Sequence, residues 1–126
     1  MSAPLCVAGL GCRADVSPEA LHEALRLVAE QHPIDALAAL QERAALPALQ
    51  TLSRDKGLPL IALPREALSG IATPTRSPRI LARFATGSVA EALALVAIGA
   101  DARIAASRQI STDGSASAAI AIRIPS

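Results

Sequence analysis

The sequence predicts an α/β fold: a single domain with a mixed, mostly parallel five-stranded sheet, flanked by helices and finished by a C-terminal β-hairpin. Three observations predict it. Short apolar runs alternate with helix-like segments over the first half of the chain, which is the rhythm of parallel β-α-β units. A turn signal, Thr-Asp-Gly-Ser at 112–115, separates two strand-like runs near the end. A length of 126 residues is typical of one domain, so 1–126 is expected to be a single unit.

The first strand is expected at about Leu5 to Leu10, buried on both faces because the run has no polar alternation. A glycine-bearing loop, 9–13, follows it. Ser17 and Pro18 are a good N-cap and first position for the next helix. Residues 34–40 have the length of a strand and the alanines of a helix; the preceding β-α rhythm favours a strand.

The middle of the chain alternates helices and a third strand. In order, the expected elements are a helix at about 47–56 stopped by Gly57, a strand at 58–63, a helical turn at 65–68, a surface loop at 69–79, and a short helix from Ser77-Pro78 to Phe84. Ser88-x-x-Glu91 is a capping box that starts the clearest helix. Its expected core stripe is Val89, Leu93, Val96 and Ala97, and Gly99 is its stop.

A hairpin is expected to end the chain, with strands at about 103–110 and 116–124. Ile120, Ile122 and Ile124 alternate with smaller residues, which predicts one buried face for the last strand. Helix crossovers make the early strands parallel, whereas the two strands of the hairpin must be antiparallel.

Composition excludes several classes of function. The chain is 52% hydrophobic, which excludes general disorder. A net charge of +1 and a single aromatic residue, Phe84, count against nucleic acid as a partner. No apolar run approaches a membrane span and the N-terminus does not resemble a signal peptide, so we expect no membrane partner and a cytoplasmic location. Cys6 and Cys12 have neither zinc-site nor CxxC spacing, and the lack of a disulfide framework favours a reducing compartment. We expect no metal site and no cofactor.

The spacing Gly9-x-Gly11-x-x-Ala14 matches a dinucleotide-binding fingerprint, and a nucleotide-binding module is therefore one alternative. Two features count against it. The helix cap at Ser17 comes too late for the tight turn that the fingerprint requires. The fingerprint also needs an acidic residue at the end of the second strand, whereas Asp35 lies near the beginning of that strand. The other interpretation is that both glycines permit close packing and positive φ.

Cys12 and Glu91 are the candidate catalytic residues. Cys12 lies near a helix N-terminus beside Arg13, and both features are expected to lower the pKa of a thiol. A nucleophile also needs a base, and neither His22 nor His32 has a recognisable spacing to it, so a small residue filling a tight turn is the alternative. Glu91 is explained equally well as part of the capping box.

Anion binding is suggested at two places. Thr86-Gly87-Ser88 offers hydroxyls and free amides at a helix start. Arginine is used almost to the exclusion of lysine, and it grips carboxylates and phosphates through two nitrogens. The recurring arginines include Arg13, Arg43, Arg76, Arg79 and Arg83.

Three stretches together resemble the CobE/CbiG C-terminal-domain family of cobalamin biosynthesis. They are Val-Ala-Gly-Leu-Gly-Cys-Arg at 7–13, Gly-Leu-Pro-Leu at 57–60 and Thr-Gly-Ser-Val-Ala-Glu-Ala at 86–92. The resemblance covers nearly the whole chain in the right order. Ala14-Asp15 departs from the glycine that often follows Cys-Arg in the family. In the family's Asp-x-Lys pattern, Gln41 and Arg43 stand here for the Asp and the Lys, and Leu46 for a later acid.

The resemblance implies a protein that binds a precorrin or corrinoid tetrapyrrole, as carrier or chaperone between enzymes of the pathway, which are then its other partners. An enzyme acting on a precorrin, with ring or lactone chemistry, is the alternative, and whether the chain is an enzyme stays open. Precorrins carry many acetate and propionate carboxylates, which suit arginine-rich loops. The expected ligand-binding residues are Gly9, Gly11, Cys12, Arg13, Arg43, Thr86, Gly87, Ser88 and Glu91.

Overall fold

A computed structural model describes residues 4–29, 32–84 and 86–124. The strands are β1 (Cys6–Cys12), β2 (Ala36–Leu40), β3 (Leu60–Leu63), β4 (Ala102–Ile110) and β5 (Ala116–Arg123). The helices are α1 (Pro18–Ala29), α2 (Gln41–Ala44), α3 (Pro47–Lys56), α4 (Pro78–Phe84) and α5 (Val89–Ile98), and a 3₁₀ turn spans Arg65–Leu68.

The sheet has the strand order β3-β2-β1-β5-β4. The pairings of β1 with β2 and of β2 with β3 are parallel, whereas β5 runs antiparallel to both β1 and β4. All strands except β5 therefore point the same way. The predicted fold class, a mixed and mostly parallel five-stranded sheet with a C-terminal hairpin, is confirmed.

Helices cover both faces of the sheet. α1 and α3 pack on one face over a cluster that includes Leu10, Leu21 and Leu37. α5 packs on the other face over a second cluster that includes Val7 and Leu93. The first crossovers therefore use one face, and the passage from β3 to β4 uses the opposite one.

The predicted helix boundaries are confirmed where local chemistry sets them. The Ser17 hydroxyl accepts from the Ala20 amide at 3.1 Å and caps α1. Gly57 ends α3 with φ 65°, and Gly99 ends α5 with φ 88°. The end of α1 was expected at Gln31-His32-Pro33, where Gln31 lies outside the described residues.

The predicted loop at 9–13 is wrong, because β1 continues to Cys12. The strand stays paired with β5 from Cys6 opposite Ile122 to Cys12 opposite Ala116. Its glycines serve close packing, as one interpretation held: a Cβ on Gly9 would lie 2.0 Å from the Ala90 carbonyl oxygen of α5. Positive φ is not their role, since neither glycine has it. The dinucleotide spacing thus falls on strand residues and not on a phosphate loop.

Two predictions of buried faces are also corrected. β5 is buried on both faces from Ala118 to Ala121, because it lies inside the sheet between β1 and β4. In α5, Ala90, Glu91, Ala92 and Ala94 are buried with Leu93, whereas Val89, Val96 and Ala97 of the expected stripe are only half-buried. The start of α5 is covered on a second side by the segment around Thr75 and by β4.

No single helix among the described residues is long and apolar enough to cross a membrane. α4 and α5 reach the required length and apolarity only as a pair, bent by 53°.

Candidate functional site

A cavity of about 620 Å³ lies at the edge of the sheet where β1, β2 and β4 end. Its walls come from the end of β1, the start of α2, the helix α4, the start of α5 and the hairpin turn with the first residues of β5. Ligands of open α/β sheets bind outside the carboxyl ends of strands. The cavity lies at such an edge, beside the carboxyl ends of β1, β2 and β4.

The charged lining of the cavity is almost entirely basic. Of the described residues that line it, five are arginines and one, Glu42, is an acid. The arginines are Arg13, Arg43, Arg79, Arg83 and Arg108. The remaining walls are mainly apolar, with Leu10, Leu40 and Ile80 among them. Apolar walls with a few placed polar groups are typical of small-molecule sites, and the charge here favours an anion.

Arg43 is fixed against the end of β1. Its Nε donates to the Cys12 carbonyl oxygen at 3.0 Å, which joins α2 to the neighbouring strand. α2 begins directly after β2 with no side-chain cap, so this contact sets where the guanidinium lies. The two terminal nitrogens of Arg43 remain available to a ligand in the cavity, because the structure assigns them no acceptor among the described residues.

Arg13 is held beside the hairpin turn. Its amide donates to the Ser115 carbonyl oxygen at 2.9 Å. In the same turn Asp113 accepts from the Ser115 amide at 2.9 Å and from the hydroxyls of Ser115 and Ser111 at 2.7 and 2.8 Å. These bonds lower the pKa of Asp113 to about 2, with a smaller contribution from the charge of Arg13. The hairpin turn is therefore a well-bonded wall.

Cys12 lies on the cavity but is not an activated thiol. Burial raises the pKa of Cys12, and the nearby Arg43 charge opposes that shift without overcoming it. The expectation of a lowered thiol pKa was wrong because the end of a strand, not the start of a helix, surrounds the sulfur. No histidine is among the residues that line the cavity. His22 lies instead on the α1–α3 face, with Nε2 3.6 Å from Asp55.

Thr86, Gly87 and Ser88 are buried and do not line the cavity. Their polar groups bond within the protein: the Thr86 hydroxyl donates to the Ile71 carbonyl at 2.6 Å, and the Ser88 hydroxyl accepts from the Glu91 amide at 3.3 Å. The Gly87 carbonyl accepts from the Ser77 amide at 2.9 Å just before α4. This segment supports α4 from behind and leaves Val89 as the residue of this region that reaches the cavity.

Glu91 is fully buried and acts as a structural acceptor. Its carboxylate accepts from the Thr75 amide at 2.9 Å, the Thr75 hydroxyl at 2.8 Å and the Arg108 amide at 2.8 Å. The predicted capping box is thus only half formed, because Ser88 caps the helix while Glu91 bonds elsewhere. Glu91 ties the loop before α4 to the end of β4, and the cavity arginines Arg79 of α4 and Arg108 of β4 lie next to these two segments.

The structure brings together four of the expected ligand-binding residues, Gly11, Cys12, Arg13 and Arg43, and separates the other five from the cavity. Arg79 and Arg83 line it as well, whereas Arg76 does not. Sequence reasoning missed Arg108, Ser115 and Ser117. The predicted hairpin could have indicated them, because a hairpin places the end of β4 beside the start of β5.

Among the described residues, no three His, Cys, Asp or Glu side chains lie close enough together to hold a metal ion.

The sequence matches the protein family described as "Cobalamin synthesis G C-terminus" over residues 6–122. The chain belongs to this family. No curated protein sequence matches it. The predicted family resemblance is confirmed, and the chain takes part in cobalamin biosynthesis.

Solved structures agree with the assignment. CobE, a protein from the cobalamin (vitamin B12) biosynthetic pathway, is 27% identical, with a TM-score of 0.79 over 98% of this chain and 93% of that chain. The cobalamin biosynthesis protein chiG from Agrobacterium tumefaciens str. C58 is 30% identical, with a TM-score of 0.72 over 96% of this chain and all, 100%, of that chain. A cobalamin biosynthesis protein G homolog from Sulfolobus solfataricus shares the fold at 18% identity and a TM-score of 0.70, over 96% of this chain and 37% of that chain.

Proposed function

We propose that the chain binds a precorrin or corrinoid tetrapyrrole in the cavity at the carboxyl edge of the sheet, and carries it between enzymes of cobalamin biosynthesis. The observation that supports this most directly is the set of five arginines around one hollow whose walls also include apolar side chains. Such intermediates combine an apolar macrocycle with many acetate and propionate carboxylates, so they match both parts of the lining.

The volume of about 620 Å³ lies within the range of small-molecule sites. Ile80, Val89 and Ile110 offer apolar surface to the ring, and Phe84 adds an aromatic side chain. Arginine forks bind carboxylates through two parallel hydrogen bonds, which fix the orientation of the ligand as well as its charge. A neutral ligand would leave these guanidiniums without partners.

A carrier role is favoured over catalysis by the state of the two candidate catalytic groups. Burial raises the pKa of Cys12, which keeps the thiol protonated near neutrality. Glu91 is buried away from the cavity and bonded by three donors. Ligand binding therefore accounts for more of the residues at this site than catalysis does.

Arginine variants test the proposal. Each protein is titrated with hydrogenobyrinic acid, and binding is measured from the change in absorbance of the macrocycle. Arg79→Ala and Arg83→Ala each remove one exposed cavity guanidinium, and each is expected to weaken binding about tenfold, the value of one charge-assisted hydrogen bond. Arg54→Ala is the matched control, because it removes an exposed arginine from α3, outside the cavity, and is expected to leave the affinity unchanged.

Added salt should weaken binding by the wild-type chain more than binding by either cavity variant, since exposed charges are screened. The proposal fails if the tetrapyrrole spectrum does not change when the wild-type chain is added, even at concentrations well above micromolar. It also fails if Arg54→Ala weakens binding as much as Arg79→Ala does.

A further inference from the structure

Glu42, the one acid among the described residues of the cavity lining, is bound by an arginine in the way that a ligand carboxylate would be. It lies in the first turn of α2. Nη2 of Arg65, in the 3₁₀ turn, donates to its two carboxylate oxygens at 3.0 and 3.2 Å, and Nε donates to Oε1 at 3.3 Å. This fork geometry is how arginine binds free carboxylates in general. Arg65 thus already holds the type of group that the proposed tetrapyrrole carries.

A second contact positions Arg65 independently of Glu42. The guanidinium carbon of Arg65 lies 4.7 Å from the centroid of the Phe84 ring, and that of Arg83 lies 5.3 Å from the same centroid. Cations over an aromatic face are attracted to it. Phe84 and Arg83 both line the cavity, although Arg65 itself does not. Without the Glu42 carboxylate, Arg65 would therefore remain stacked beside the cavity with a free fork.

Three arginines contribute positive electrostatic potential at the Glu42 carboxylate. Hydrogen bonds from Arg65 hold the pKa of Glu42 below its ordinary value; slight burial opposes this, and the charges of Arg65, Arg43 and Arg83 add to it. Arg43 and Arg83 line the cavity. Glu42 therefore occupies a place on this wall where the surrounding positive charge favours a carboxylate.

The pair of Glu42 and Arg65 is also easy to exchange. The two side chains are 40% and 39% exposed, respectively. Exposed ion pairs of this kind contribute little to stability, because water and salt compensate for their loss. A carboxylate that arrives on a bound ligand thus competes with Glu42 on nearly equal terms.

We propose that Glu42 masks a carboxylate subsite made by Arg65, Arg43 and Arg83, and that a free carboxylate of the bound tetrapyrrole replaces Glu42 on Arg65. This inference rests on the proposed function. It makes Glu42 a specificity-determining residue: a ligand with a free carboxylate at this wall gains Arg65, whereas an ester or amide at the same position leaves the internal pair in place.

The test measures the dissociation constants of hydrogenobyrinic acid and of its fully methyl-esterified form, at low salt. Glu42→Gln is expected to bind the acid about fivefold more tightly than the wild type, the upper value for an exposed charge pair, and the ester with unchanged affinity. In an Arg65→Ala background the same Glu42→Gln substitution is expected to give a clearly smaller gain, from Arg43 and Arg83 alone. Glu66→Gln is the control, because it removes one exposed negative charge from the same 3₁₀ turn outside the cavity.

Each outcome decides between the claims. A gain of the same size in the Arg65→Ala background would mean that Glu42 does not act through Arg65, which overturns the masking of Arg65. Tight binding of the acid by the wild type with no gain in Glu42→Gln, or an equal gain in Glu66→Gln, overturns this inference and leaves the proposed function standing. No binding of the acid by the wild type or by Glu42→Gln overturns the proposed function, and this inference with it.

Discussion

At the scale of single residues, Gly9 shows how little room the fold leaves between sheet and helix. It lies inside β1, paired with Ala38 of β2 and Ala119 of β5. A Cβ there would meet the Ala90 carbonyl oxygen at 2.0 Å and the Ala94 amide nitrogen at 2.8 Å, both backbone atoms of α5. Backbone atoms cannot rotate away as the end of a side chain can. The absence of a side chain at Gly9 therefore sets how closely α5 approaches the sheet.

Gly9→Ala is expected to lower the free energy of unfolding by about 3 kcal/mol or more, because overpacking against backbone has no local relief. Thermal unfolding followed by circular dichroism measures the effect. Gly11→Ala is the matched control in the same strand. Its nearest neighbour is the Ser117 hydroxyl oxygen at 2.7 Å, which can turn aside, so a smaller loss is expected. Equal melting temperatures for Gly9→Ala and the wild type would contradict this account of the close approach.

Sequence patterns predict the features that depend on residues close together in the chain. They do not predict the features that depend on residues far apart in the chain. Ser17 and Ser88 were correctly predicted as caps because their partners lie three positions along the chain. The role of Glu91 was not predictable in this way, since its partners Thr75 and Arg108 lie 16 and 17 positions away. The thiol pKa of Cys12 was mispredicted for the same reason: it depends on burial at a strand end that only the tertiary fold creates.

At the scale of elements, the hairpin turn is the best-defined wall of the cavity. Asp113 bonds to Ser111 and Ser115 inside the turn. The Thr112 amide and hydroxyl donate to Glu23, which attaches the turn to α1. The turn was predicted from its sequence because Asp-Gly at this place sets the chain reversal locally. The length of β1 was not, because it depends on pairing with β5 more than a hundred positions away.

The stability of the turn is expected to depend on pH through Asp113. Its pKa in the folded protein is about 2, below the ordinary value of 3.8. A depressed carboxyl pKa contributes stability that is fully present above the unfolded value and is lost as the pH falls from about 4 towards 2. Asp113→Asn should therefore melt below the wild type at pH 6, and the difference should shrink as the pH approaches 2.

Melting temperatures of both proteins between pH 6 and pH 2 measure this effect. Asp15→Asn serves as the control, because Asp15 is an exposed carboxylate outside the turn network. A difference between Asp113→Asn and the wild type that stays constant down to pH 2 would show that the carboxylate is not the source.

At the scale of the whole molecule, the strand order produces the site. Arg13 follows β1, Arg43 follows the end of β2, and Arg108 lies near the end of β4, yet all three line one cavity. They meet because β1, β2 and β4 point the same way and end at one edge of the sheet. The sequence therefore predicted that an arginine-lined site would form beside β1. It could not show that α4 and β4 complete that site while Thr86 to Ser88 are buried behind it.

A crystal of the protein soaked with hydrogenobyrinic acid tests the central claim most directly. The account predicts the macrocycle against Ile80, Val89 and Ile110, with ligand carboxylates within hydrogen-bond distance of at least two of the five cavity arginines. A tetrapyrrole bound with full occupancy elsewhere on the molecule, with the cavity arginines untouched, would contradict it.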